Sequence, residues 1–257
     1  MDYFIISLVT FIGAGLTLFS GFGLGTVLMP VFGLFFPIDM AIGLTAIVHF
    51  SNNLIKLGFF YKHLDRRVIV RFGIPSIVAA FFGAYLLTTL SKLSPIMNYS
   101  IADYDFEITP IKLTVAVLLV IFSLIELSPE LSDLQFDKKY MPFGGLLSGF
   151  FGGLSGHQGA LRSAFLIRAG LTKEIFIGTG VIIACFVDLT RLSIYSTSIL
   201  IRVDRSTTIL LLVAVVSAFI GVYFGNKLVK RITLKALQGF VAIMLFLFAV
   251  LLGVGII

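Results

Sequence analysis

Charge is scarce in this chain of 257 residues: 12% of positions are Asp, Glu, Lys or Arg, about half of what a water-soluble domain uses to solvate its surface. Cysteine is nearly absent. A single thiol, Cys185, cannot pair within the chain, so a disulfide-stapled fold is excluded. Intrinsic disorder is excluded as well, because 58% of the residues are hydrophobic and the mean hydropathy is +1.09. The same balance argues against a free nucleic-acid-binding domain, and the net charge of +6 reads instead as an excess of Lys and Arg in cytoplasmic loops. What remains is a membrane protein. A cleaved leader is not expected, since Asp2 stands where a basic n-region would be and no clean small-x-small site follows.

A helical crossing needs about 20 predominantly apolar residues. Eight stretches qualify: Phe4 to Phe36, Met40 to Tyr61, Val68 to Leu90, Ile111 to Leu127, Met141 to Ile167, Ile175 to Ser198, Thr207 to Leu228 and Leu234 to Ile257. The longest links, Ser91 to Pro110 and Ser128 to Tyr140, are polar and acidic enough to lie in water. Two stretches do not read as simple spans. Phe4 to Phe36 would be roughly 50 Å long as one helix, against about 30 Å of hydrocarbon, and its middle reads "SGFGLG" from Ser20 to Gly25. The fifth carries "GFFGGLSGHQGALR" from Gly149 to Arg162, with His157, Gln158 and Arg162 in an otherwise apolar run. Glycines at that density either ease close helix packing or break the helix, and irregular backbone at membrane depth needs protein or water around it. A straight helix would strand Arg162 in lipid, so the expectation is two broken or re-entrant segments.

A shift of 135 residues lays Ser20-Gly21 on Ser155-Gly156, Gly43 on Gly178, Asn53 on Asp188 and Lys56 on Arg191. With three more residues inserted, "AFFGAY" at Ala80 falls on "AFIGVY" at Ala218. The chain is thus read as an all-α polytopic membrane protein of two repeats, residues 1–127 and 141–257, joined by a polar linker at 128–140. Basic residues decide their orientation. If all eight segments cross once, the loops carry eight basic residues on each side; if the first and fifth are hairpins, the split becomes twelve against four. The twelve include Lys62, Arg66, Arg67, Lys138, Lys139, Arg168, Lys173, Lys230 and Arg231, and mark the cytoplasmic face. Each half then has three full crossings, an odd number, so the repeats are inverted. Secondary transporters share this build, with broken helices meeting at a midplane site.

Ionisable groups inside spans are costly and default to function. His49, Asn53 and Lys56 fall on one helical face, with Asn52 four residues before Lys56; Asp188, Arg191 and Tyr195 do the same on the sixth segment. Asp188 and Arg191 either neutralise each other as an i, i+3 pair or contact a substrate. Lys56 either faces the axis or snorkels to the cytoplasmic edge. Arg162 presents a planar fork, and broken helices aim free N–H groups at an anion. The expected guest is a small anion held by Ser20, Gly21, Gly23, Asn53, Lys56, Ser155, Gly156, Gln158, Arg162 and Arg191. His49, Asn52, His157, Asp188 and Tyr195 form a second layer, in which either histidine could relay a coupling proton or merely pack. No cofactor is expected, and the histidines and cysteine lack metal-site spacing.

These motifs resemble the TauE/SafE family of sulfite exporters. The likeness rests on the glycine breaks "SGFGLGTVLMP" and "GGLSGHQGALRSAFL", and on the step at Gly43 to Thr45 opposite Gly178 to Gly180. It covers nearly the whole chain and carries over to Gly21, Gly23, Gly25, Pro30, Gly152, Gly153, Gly156 and Gly159. "GHQGALRSAF" departs from the more usual glycine-rich stretch ending in proline. The resemblance implies an inner-membrane permease for sulfite, an organosulfonate or a related sulfur anion. Its partners would be the bilayer, the anion and a coupling H+ or Na+; a homodimer stays open, and nucleic acid is not a partner. Two rivals remain: an uncoupled anion channel, and an intramembrane serine protease with Ser155 as nucleophile and His49 as base.

Overall fold

The computed structural model describes residues 2–17, 23–128, 130, 134–228 and 234–257. The first expected segment forms two short helices, α1 (Asp2–Leu16) and α2 (Leu24–Gly33). They are followed by α3 (Ile38–Phe60), α4 (Arg66–Leu90) and α5 (Pro110–Leu127). The order then recurs as α6 (Met141–Ser155), α7 (Gly159–Leu166), α8 (Lys173–Tyr195), α9 (Arg205–Leu228) and α10 (Leu234–Gly253). Five of these helices, α3, α4, α5, α8 and α9, are long and apolar enough to cross a bilayer. The chain is an all-α multi-pass membrane protein with one small addition. Ser20 and Gly21, and with them the first glycine break, lie outside the described residues, as do Lys230, Arg231 and part of the 128–140 linker.

Short polar side chains start the long helices. Thr109 accepts from the Lys112 amide at 3.3 Å, Thr172 from that of Ile175 at 3.4 Å, and Asp65 from that of Val68 at 2.9 Å. Asp204 caps α9 through the Thr207 amide at 2.8 Å, and hydrogen bonding from Thr207 holds its carboxyl below the usual range. Between α4 and α5 the link is not plain coil. Met97–Ile101 and Tyr104–Ile108 pair as an antiparallel hairpin, with Ala102 and Asp103 at φ 48° and 65° in its turn. That turn lacks the glycine that usually marks such hairpins, which leaves it silent in the sequence.

Contacts along the helices fix their directions. α6 ends at Gly156, whose φ of +84° favours glycine, and the chain then doubles back. A Cβ on Gly144 would lie 2.3 Å from the Phe165 ring, and Ser148 Oγ donates to the Gln158 carbonyl at 3.0 Å. α6 and α7 therefore form an antiparallel hairpin. α1 and α2 approach likewise, with Gly13 under Leu24 and Val27. Each hairpin leans on the other half of the chain. Gly145, Gly149 and Gly153 face the carbonyls of Phe72, Ser76 and Ala80 so closely that any Cβ would sit 2.1–2.3 Å from an oxygen. α4 and α6 thus run parallel with their backbones in contact, while α1 runs parallel to α9 through Tyr3 to Ser206 and Phe11 to Gly221.

The centre is the crossing of α3 and α8. Gly43 meets Ile199, Asn53 meets Asp188, and Gly178 meets the His63 carbonyl, so the two helices are antiparallel. α5 and α10 are antiparallel too, with Ala116 on Gly253 and Lys112 reaching the Gly255 carbonyl.

The glycine seam is testable. Gly149→Ala drives a methyl into the Ser76 carbonyl and should cost about 1–3 kcal/mol, whereas Gly58→Ala on α3, with nothing within 4 Å, should be neutral or stabilising by up to about 1 kcal/mol. Thermal unfolding of the purified protein distinguishes them: only Gly149→Ala lowers the midpoint.

Candidate functional site

The i, i+3 and i+4 spacing on α3 and α8 gathers the polar stripes at the helix crossing. Asp188 is the hub, fully buried, and it accepts from five donors. Its Oδ2 takes His49 Nδ1 at 2.7 Å and Asn53 Nδ2 at 3.1 Å. Its Oδ1 takes Gln158 Nε2 at 3.2 Å, and Arg191 Nε and Nη2 at 3.0 and 2.8 Å. With Nδ1 donating to a carboxylate, His49 turns Nε2 toward the N-terminus of α2, where a Cβ on Gly23 would be 3.3 Å away.

Beside this hub lies a small cleft of about 40 Å³. That is room for a few waters or one small oxyanion. Gly23, His49, Asn53, Lys56 and Arg162 line it, together with Thr17, Ser163, Phe176, Ile177 and Gly180. The ion pairs among the described residues join Asp188 to His49 and Arg191, and Asp39 to Arg202; none reaches Lys56 or Arg162. Lys56 does not snorkel. It is 5% exposed and donates to the Thr17 carbonyl at 3.4 Å. Arg162 Nη1 donates to Gln158 Oε1 at 3.3 Å, and Gly180 leaves space for its side chain, since a Cβ there would be 3.4 Å from Arg162 Nε. Among the described residues the cleft wall carries two cations, Lys56 buried and Arg162 partly exposed, and no carboxylate.

The other residues singled out from the sequence stand behind this wall. Arg191 packs on Asp188, and its free Nη1 faces Gly156, where a Cβ would be 2.9 Å away. Tyr195 donates to the Gly153 carbonyl, which ties α8 to the end of α6. Ser155 donates to the Phe151 carbonyl, and the imidazole near it is that of His157, not His49. His157 stacks on Phe122 with ring centroids 5.3 Å apart. Asn52 is buried, with neither side-chain polar atom paired. Among the described residues no three His, Cys, Asp or Glu side chains gather as metal ligands.

Sequence reasoning missed Thr17, Ser163, Phe176, Ile177 and Gly180. The last two were legible in principle: residues 177, 180, 184, 188 and 191 form one i, i+3/i+4 ladder on α8.

Removing the hub carboxylate leaves Arg191 buried and unpaired. Asp188→Ala should therefore destabilise the protein by about 3–5 kcal/mol, and adding Arg191→Met should recover most of that loss. Thermal unfolding of the two variants measures both terms.

Residues 6–252 match the sequence model of the family described as Sulfite exporter TauE/SafE. No curated protein matches the chain.

Proposed function

Because the chain belongs to the sulfite exporter TauE/SafE family, and so is a membrane transporter and not an enzyme, we propose that it carries a small sulfur oxyanion or sulfonate by alternating access. The observation that carries this reading is the pair of cations, Lys56 and Arg162, in no ion pair among the described residues, on the wall of a small cleft. Lys56 is a buried charge without a counter-charge, a strongly disfavoured state, and the partly exposed Arg162 adds a second positive charge beside it, so the pair favours an anion from outside the chain. Asn53 and the N-terminus of α2 supply further donors on the same wall. His49 is the group assigned to carry a coupling proton, because it shares Asp188 with Arg191 and borders the cleft.

In this reading the halves, 1–127 and 141–257, are inverted repeats. Asn53 and Asp188 are repeat counterparts and touch each other, which is expected only where an axis relates the halves. Antiparallel counterpart helices through one membrane have opposite orientations, and the two hairpins enter from opposite faces. Lys62, Arg66, Arg67, Arg168 and Lys173 then share the cytoplasmic face of the inner membrane. The cleft opens to that face, between α7 and the first turns of α8.

Two measurements check the proposal. Sulfite should raise the unfolding temperature of the native protein, and Arg162→Gln should remove that rise while the protein stays folded; a retained rise would take Arg162 out of the site. Single cysteines at 62 and 168 should label from one face of the membrane and those at 103 and 202 from the other, a pattern that parallel halves cannot give.

A further inference from the structure

The cleft has an occluded twin. Four residues on its wall, Arg162, Ser163, Phe176 and Ile177, are partly exposed, whereas their counterparts 135 positions away, Val27, Leu28, Ala41 and Ile42, are all buried. The contrast is plainest between the short helices: all ten residues of α2 are buried, whereas Ala160 to Ala164 on α7 are partly exposed. The twin surface includes Val27 and Leu28 on α2, Ile42 and Thr45 on α3, and Asp188 and Arg191 on α8. Ile42 lies one helical turn from Asp39, which lines a second cavity of about 560 Å³ at the opposite end of α3 from Lys56. There Asp39, in the first turn of α3, pairs with Arg202 from the turn that follows α8.

We propose that the Asp39–Arg202 ion pair is the gate that holds the twin cleft shut while the cleft beside Arg162 is open. The inference rests on the transporter reading and names residues that the anion site does not use. The counterpart of Asp39 is Glu174, likewise in the first turn of its helix. Glu174 sits on the open side, exposed and in no ion pair among the described residues. The same acidic position is paired over the buried twin surface and is in no ion pair among the described residues beside the partly exposed cleft. The pair also spans the two halves, tying the start of α3 to the end of α8, so its rupture frees the twin surface to part. The twin is less cationic than the open cleft: Lys56 maps to Arg191, held by Asp188, and Arg162 maps to Val27.

Thiol reactivity tests the gate in full-length protein in sealed vesicles, with buried Cys185 as the unreactive background. A membrane-impermeant maleimide applied to the Arg202 face should modify Ile42→Cys slowly. Asp39→Asn, which keeps a side-chain oxygen for the Met40 amide, should raise that rate about fivefold, the upper end for one partly exposed ion pair. The same variant should lower the reactivity of Ser163→Cys from the opposite face. The exchanged pair, Asp39→Arg with Arg202→Asp, should restore both rates. Unchanged rates, or rates that rise together on both faces as in a loosened fold, overturn the gate. Failure of sulfite to stabilise the unsubstituted protein would instead sink the anion reading and leave the reciprocal labelling standing.

Discussion

The site depends on how one carboxylate is shared. Asp188 sits at the crossing of α3 and α8 and gathers Arg191, His49, Asn53 and Gln158 onto its two oxygens. Water is excluded there, so each of those groups would cost several kcal/mol if left unpaired, and the carboxylate settles them together. Its second effect is what it does not do. With both oxygens occupied, Asp188 has no capacity left for Lys56 or Arg162, and the positive charge of the cleft is the remainder of that local balance.

The balance also orders the helix ends. Gln158 bridges the hub and Arg162, donating to Asp188 and accepting from the guanidinium, so the tip of the second hairpin is positioned by the same residue that orients the cleft cation. Gly156 lets Arg191 approach the tip, and Tyr195 anchors the preceding turn to α8. Cleft wall and hairpin tip are therefore one hydrogen-bonded system rather than a pocket added to a scaffold.

Much of this was legible from the sequence, for a physical reason in each case. Hydropathy marks the spans because lipid tolerates little else, and the glycine runs mark the second break because Gly156 needs a positive φ. Helical spacing placed His49 with Asn53 and Lys56, and Asp188 with Arg191 and Tyr195. It could not say which of them face a cavity, since that depends on lateral packing: Arg191 and Tyr195 turn to α6 and its tip, and Lys56 turns to Thr17. Nor does spacing separate glycines that free a turn from glycines that admit a neighbour. Gly145, Gly149 and Gly153 belong to the second kind, and only the opposing carbonyls of α4 reveal it. Asp39 and Arg202 were unreadable as partners, being 163 residues apart and joined only by the fold.

That glycine seam has a consequence for mechanics. Two main chains that touch over successive turns have no side-chain cushion to deform, so they cannot slide past each other without collision. α4 and α6 come from different halves of the sequence, yet they are clamped into a single stiff strut, and α1 and α9, also from different halves, meet main chain to main chain at Phe11 and Gly221. The rigid bodies of this molecule are therefore chimeras of its two halves, clasped like the fingers of two hands, and any rocking must hinge between the clasps rather than at the linker that divides the chain.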